Sequence, residues 1–314
     1  MSTRVKRKVK LKIKIKWKNL FIMLIFLFLL IFGITEIIVC IGKIISSPKT
    51  EEKIEKTEKK DIEVKTPEAE KLNKLNNINE KIDYFNNNYI DRYISYKEKN
   101  NNLTDEQIIK NVNMNLDLKQ YGDKIKAKNL NKTNILVNKY YYLEEDYVPN
   151  NLKAIKKQYA LDGMKLVEEA CNAFENMAKA AEKENLTIVA MSAYRSYSYQ
   201  VNLYNRYVKS DGKEAADTYS GRPGHSEHQT GLAVDVYNQK ETYTNFEKTK
   251  EFTWMQNHAS EYGFILRFPK NKENETGYIY ESWHYRYVGV EIAKYIKEHN
   301  ISYEEYYATI IKDW

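Results

Sequence analysis

Two cysteines in 314 residues are too few for a disulfide framework, and they form no Cys-x-x-Cys pair. Cys40 lies in a long apolar run and Cys171 falls on the apolar stripe of a predicted helix. No internal disulfide is therefore expected, and Cys171 reads as a small buried hydrophobe. The helical His-Glu-x-x-His signature is also missing, so a metal site here has to be assembled from loops and strands. Glycine and proline are scarce, at 11 and 5, in a chain of globular composition long enough for one sizeable domain with extensions or for two small domains. A basic surface is absent as well. Nine of the 50 Lys and Arg lie in residues 1–19, which leaves 41 against 43 Asp and Glu. The net charge of +7 thus belongs to one end of the chain and is no argument for nucleic-acid binding.

What the chain does contain is concentrated between Ser220 and Asp235, Ser-Gly-Arg-Pro-Gly-His-Ser-Glu-His-Gln-Thr-Gly-Leu-Ala-Val-Asp. Gly221, Pro223 and Gly224 favour a loop, and Leu232 to Tyr237 reads as a short buried strand. Asp235 is a charge inside an apolar run, costly unless it is paired or coordinated. His228 at the end of the loop and Asp235 on the strand make two candidate ligands for a divalent metal. A third comes from Glu281-Ser-Trp-His-Tyr-Arg-Tyr-Val-Gly289, where His284 follows Glu281 by three residues in an aromatic run that favours a strand. Two His and one Asp leave a fourth position open for water, and Glu281 is placed to act as its general base.

Three segments, Ser192-Ala-Tyr-Arg-Ser-Tyr-Ser-Tyr-Gln200, Ser226 to Asp235 and Glu281 to Gly289, resemble in order and spacing the zinc D-alanyl-D-alanine carboxypeptidases of the VanY type and their L,D-carboxypeptidase relatives. The resemblance runs from about Asn134 to the C-terminus. It implies that His228, Asp235 and His284 bind Zn2+ and that Glu281 is the catalytic acid/base. It further implies that Arg195 faces the substrate carboxylate or the developing oxyanion, with Ser226 and Gln200 lining the same pocket. The implied fold is the hedgehog-like zinc DD-peptidase fold, and the implied substrates are the stem peptides of peptidoglycan, cut at a terminal D-alanine in either D,D or L,D linkage.

The chain order fits export. After the basic tail (1–19), residues 20–42 are apolar except for Thr35 and Glu36, and as a helix they would span roughly 35 Å, enough to cross a bilayer. Cations before this run place the N-terminus in the cytoplasm and the remainder outside the cell membrane. No small-x-small cleavage site follows, so the expectation is an uncleaved anchor, with a cleaved signal peptide as the alternative. Residues 43–70 are rich in Lys and Glu and too poor in apolar side chains to form a core, as in a solvated tether. A helical subdomain is expected over 71–133, with one amphipathic helix from Leu72 to Tyr89 and a second started by a Thr104/Gln107 capping box. A short dimerising coil is the other reading of that region.

The catalytic domain, 134–314, is expected to be α+β, with helices packed on a small, mostly antiparallel sheet. The pattern predicts strands at Asn134–Asn138, Leu186–Met191, Leu232–Tyr237, Phe264–Phe268 and Tyr278–Tyr287. Helices are predicted at Leu161–Lys183, Tyr199–Lys209, Phe246–Tyr262, Gly289–His299 and Tyr303–Trp314. His225, three residues before His228, reads as a hydrogen-bonding loop histidine, and His258 and His299 read as structural. Two other classes stay open: an endopeptidase that cuts cross-links would use the same metal set but need an open groove, and a non-catalytic wall-binding or signalling module would need no general base.

Overall fold

The computed structural model of the protein describes residues 82–313. The basic tail, the apolar run 20–42, the tether 43–70 and the first turns of the helix expected from Leu72 lie outside the described residues. Among the described residues, no helix is long and apolar enough to cross a membrane.

The first described elements are helices α1 (Ile90–Lys99) and α2 (Asp105–Asn113). The last turns of the expected Leu72–Tyr89 helix are instead a turn and a 3-10 turn, and helix α1 starts only at Ile90. Asn86 accepts a hydrogen bond from the Asn88 backbone and starts a 3-10 turn over Asn87–Tyr89, because an Asn side chain competes with helical bonding and favours a cap. Helix α2 begins at the expected capping box. The Gln107 amide donates to Thr104 Oγ1 at 3.2 Å and the Thr104 amide donates to Gln107 Oε1 at 2.9 Å. Tyr93, Ile108, Ile109 and Val112 form a small core between the two helices. Thr104→Ala is expected to lower the unfolding free energy by about 1 kcal/mol, measurable by denaturant titration.

Two short pairings follow: β1 (Ile125–Lys126) runs parallel to β2 (Tyr141–Tyr142), and β3 (Leu152–Ala154) runs antiparallel to β4 (Lys165–Val167). The remaining elements are α3 (Glu168–Lys183), β5 (Val189–Ser192), α4 (Tyr197–Asp211), α5 (Lys213–Tyr219), β6 (Ala233–Tyr237), α6 (Lys250–His258), β7 (Phe264–Leu266), α7 (Glu273–Thr276), β8 (His284–Tyr287), α8 (Val290–His299) and α9 (Tyr303–Tyr306). Strands β5, β6, β8 and β7 pair in that order into one antiparallel sheet. This is the expected α+β architecture.

Alternation along the strands sorts the side chains. On β6 and β8, Val234, Val236, Tyr285 and Tyr287 share one face and join the main core. That face meets α3, where Phe174 lies edge-on to Phe264 at 6.2 Å between centroids and Glu169 accepts from the Tyr287 hydroxyl at 2.7 Å. The opposite face carries Asp235, His284 and Arg286. It is the face that holds chemistry.

Several boundaries differ from expectation, each for a local reason. The helix expected from Leu161 starts at Glu168, because Asp162-Gly163 makes a turn (Gly163 φ 80°) and Lys165–Val167 pairs as β4; Leu161 is exposed. Residues 135–137 are buried but join no ladder. The strand expected over Tyr278–Tyr287 is only His284–Tyr287, since a turn closed by the His284 amide and the Glu281 carbonyl precedes it. The single helix expected over Phe246–Tyr262 is split by Thr249, which caps α6, although Gly263 ends it in the left-handed conformation as expected. Tyr303–Ile311 is helical but passes into a π turn at Tyr307.

Candidate metal and active site

Three chain segments converge on the polar face of the sheet. Asp235 and His284 stand directly opposite each other in the β6/β8 ladder, so their side chains emerge side by side. His228 arrives from the 3-10 turn Glu227–Thr230, which ends at Gly231 with φ 67°. A Cβ there would stand 3.0 Å from Leu152 and 3.1 Å from Val167, so only glycine lets the chain turn this tightly into β6. The β5/β6 register shifts between Ala190 and Ser192, and just beyond it the Arg195 amide donates to the His228 carbonyl at 3.1 Å.

The ligand atoms of His228, Asp235 and His284 all lie within 4.8 Å of one another. His228 Nδ1 faces the Ala193 carbonyl at 2.7 Å, which leaves its Nε2 for the site, 3.3 Å from Asp235 Oδ2. His284 presents Nδ1, 3.0 Å from Asp235 Oδ1. Ligands about 2.05 Å from a tetrahedral ion are separated by roughly 3.3 Å, close to both Asp235 distances, so this donor set fits Zn2+.

The electrostatics point the same way. Asp235 is fully buried, which alone would raise its pKa, yet His228 and Arg195 hold it well below the usual carboxylate range. Burial would lower His284, but its contacts with Asp235 and Glu227 and the charge of Glu281 bring it up to about 9. His228 is lowered, by burial and by the Arg195 charge. The low Asp235 and the raised His284 favour a positive charge beside the carboxylates, and the lowered His228 leaves an unprotonated ring nitrogen to ligate it. A divalent cation would supply that charge.

Glu281 stands just before β8, its amide bonded to the Phe268 carbonyl and its Oε2 3.8 Å from His284 Nδ1. Burial pushes its carboxyl up to about 8 against the opposing pull of His284. A cation on the triad would lower it again by direct attraction. Arg195 donates from Nε to Ser192 Oγ at 2.9 Å and from Nη2 to Asp235 Oδ2 at 2.6 Å. Arg195, Ser226, His228, Asp235, Glu281 and His284 line one cavity of about 470 Å³.

Gln200 differs from expectation. It is buried on the first turn of α4 but lies outside the cavity lining, where its Nε2 donates to the Gly221 carbonyl at 2.7 Å and to Ser220 Oγ at 3.3 Å. Its reach ends on the loop backbone, so it supports the wall of the cavity from behind. His225 is a buried loop histidine, with Nδ1 2.8 Å from the Asn138 carbonyl and its ring edge-on to Tyr121. His258 faces Glu261 and His299 stacks on Tyr295, both away from the cavity.

The sequence reading gave no role to Glu227, Arg267 or Arg286. Both arginines are fully buried, and Glu227 Oε1 accepts from Arg267 Nε and Arg286 Nη1, each at 2.8 Å. Burial would raise the pKa of Glu227, but the two guanidinium groups hold it far below the ordinary value. A signal was available: Arg267 in Ile-Leu-Arg-Phe and Arg286 in Tyr-Arg-Tyr-Val are charges within apolar strands, and each needs a buried anion.

Two histidines and an aspartate around a cavity, with a buried carboxylate beside them, have the make-up of a metal-assisted hydrolase site. The family model described as VanY, D-alanyl-D-alanine carboxypeptidase, matches residues 163–290. The YodJ protein of Bacillus subtilis (strain 168), named as a carboxypeptidase, is 37% identical over 221 residues, covering 64% of this chain and 79% of YodJ. Among solved structures, the LdcB LD-carboxypeptidase, described in terms of peptidoglycan recognition, is 36% identical with a TM-score of 0.56, covering 60% of this chain and 91% of LdcB. VanYB in complex with D-alanine-D-alanine is 28% identical with a TM-score of 0.50, covering 57% of this chain and 98% of that one. The chain belongs to the VanY D-alanyl-D-alanine carboxypeptidase family.

Proposed function

We infer that the chain is a Zn2+-dependent carboxypeptidase that releases the terminal D-alanine from peptidoglycan stem peptides, in D,D or L,D linkage, outside a membrane to which residues 20–42 anchor it. The observation that carries this reading is the convergence of His228, Asp235 and His284 with Glu281 and Arg195 in one cavity. The membrane anchor rests on the length and apolarity of residues 20–42 and on the nine cations before them.

His228 Nε2, His284 Nδ1 and an oxygen of Asp235 would hold the ion. When bound, it supplies Lewis acidity toward the scissile carbonyl and toward a water molecule. Glu281 takes the proton from that water as its oxygen adds to the carbonyl carbon. The same carboxyl then delivers the proton to the leaving nitrogen as the C–N bond breaks. Arg195, fixed at Nε and Nη2, keeps Nη1 as a donor toward the substrate's terminal carboxylate. Ser226 lines the same space.

The test is to incubate the protein with muramyl tetrapeptide and pentapeptide and follow the products by mass. Loss of one alanine supports the reading, and the peptide that reacts identifies the linkage. Zinc-loaded protein that releases no alanine from either would sink it in favour of an endopeptidase. Arg195→Lys is expected to raise KM roughly tenfold or more, because a single ammonium group cannot hold Ser192 and Asp235 and still reach the substrate carboxylate. Steady-state kinetics on the reactive peptide checks this.

A further inference from the structure

The geometry points to Glu227 as a positioning residue that sets the tautomer and orientation of the metal ligand His284. The inference rests on the metal-site reading above and adds a residue to it.

His284 turns Nδ1 toward Asp235 and His228, so its Nε2 points away from the triad. A metal-bound ring nitrogen carries no proton, and a neutral imidazole has only one N–H. With Nδ1 on the ion, that proton must sit on Nε2, which is buried without another hydrogen-bond partner. Facing it at 3.5 Å is Glu227 Oε2, also buried and also without another hydrogen-bond partner. Two unsatisfied buried atoms of opposite role thus stand face to face. A shift of about 0.7 Å brings them to a normal charge-assisted distance.

What prevents Glu227 from rotating away is the buried cluster behind it. Its Oε1 is held by two donors at 2.8 Å, Arg267 Nε and Arg286 Nη1. Arg267 is gripped on its other edge by both oxygens of Glu304, at 2.8 and 2.6 Å. Arg286 donates to the Ile135 and Thr133 carbonyls at 2.7 and 3.0 Å. Two arginines and two glutamates make the cluster neutral as a unit, with one free carboxylate oxygen aimed at the ligand histidine. The residues that complete it, Thr133, Ile135 and Glu304, lie outside the segment 163–290 matched by the family model. Flanking chain thereby helps set the metal ligand.

The competing explanation is that Glu227 merely neutralises the arginines, and Glu304 provides the control. It serves Arg267 in the same way and does not touch His284. Glu227→Gln and Glu304→Gln should both lower the denaturation midpoint of metal-free full-length protein. Only E227Q should weaken Zn2+, by about 10- to 100-fold in competition with a chromophoric chelator. NMR of 15N-labelled histidine should show His284 protonated at Nε2 in zinc-loaded wild type and E304Q, and a lost or shifted signal in E227Q. If E227Q does not fold, Glu227→Asp retains the charge against both arginines but withdraws the carboxylate, and should weaken Zn2+ severalfold. Unchanged Zn2+ affinity in the folded Glu227 variant, or equal weakening in E304Q, overturns the assignment. Wild-type protein that fails to bind Zn2+ at all overturns the metal-site reading itself, a distinguishable result.

Discussion

Glu281→Gln is expected to lower kcat by about 10³-fold or more while leaving Zn2+ affinity within a few-fold of wild type. The substitution is nearly isosteric and removes only the ability to take and return a proton. Glu281 is not a ligand of the triad; its nearer oxygen stands 3.8 Å from His284 Nδ1, so the ion should stay. Stability of the metal-free protein should hold or rise, because a carboxyl that burial pushes up to about 8 destabilises the fold at neutral pH, whereas an amide does not titrate. Peptide turnover, metal content and thermal denaturation measured on one preparation give all three readouts. A variant retaining a tenth of wild-type kcat would remove Glu281 from the proton path.

Removing the metal should abolish alanine release, and adding Zn2+ back should restore it. Without an ion, Asp235 remains tied to Arg195 and His284, and the Lewis acidity that would polarise the carbonyl is lost. Metal-free protein should also unfold more easily. Binding at about 1,000 times the dissociation constant stabilises the folded state by about 4 kcal/mol if the unfolded chain does not bind the ion. The measurement is a thermal scan and an activity assay on chelator-treated protein, with metal content verified, before and after reconstitution. Full turnover by verified metal-free protein would refute the mechanism.

Much of the site was legible because its residue types violate local patterning. Asp235 is a carboxylate amid Ala, Val and Tyr, and His284 is a polar residue in an aromatic strand; such departures from the apolar period have to be compensated in the fold. Arg267 and Arg286 are departures of the same kind, but nothing in the linear sequence identifies their anion. Glu227 is 40 residues from Arg267 and 59 from Arg286. Gln200 shows the converse. The family resemblance put it in the pocket lining with Ser226, but only the packing of α4 shows that its amide is spent on the backbone of Gly221.

The elements followed the same division. The capping box at Thr104, the left-handed glycine at 263 and the strand around Asp235 depend on neighbours within a few residues, and the sequence alone determined them. Leu161 to Lys183 fits a helical period throughout, yet its first turns are taken by the Asp162-Gly163 turn and by β4, whose partner strand is β3. Pairing across a turn overrides a propensity worth only tenths of a kcal/mol per residue. So the sequence by itself determined the identity and order of the candidate ligands, the candidate base, and the α+β class. The tertiary structure alone decided that Asp235 faces His284 across the sheet, that Arg195 closes on Asp235, and that Glu227 stands behind His284. Those contacts are set by strand register and by a buried charge cluster, and both join residues too far apart along the chain for any local period to specify.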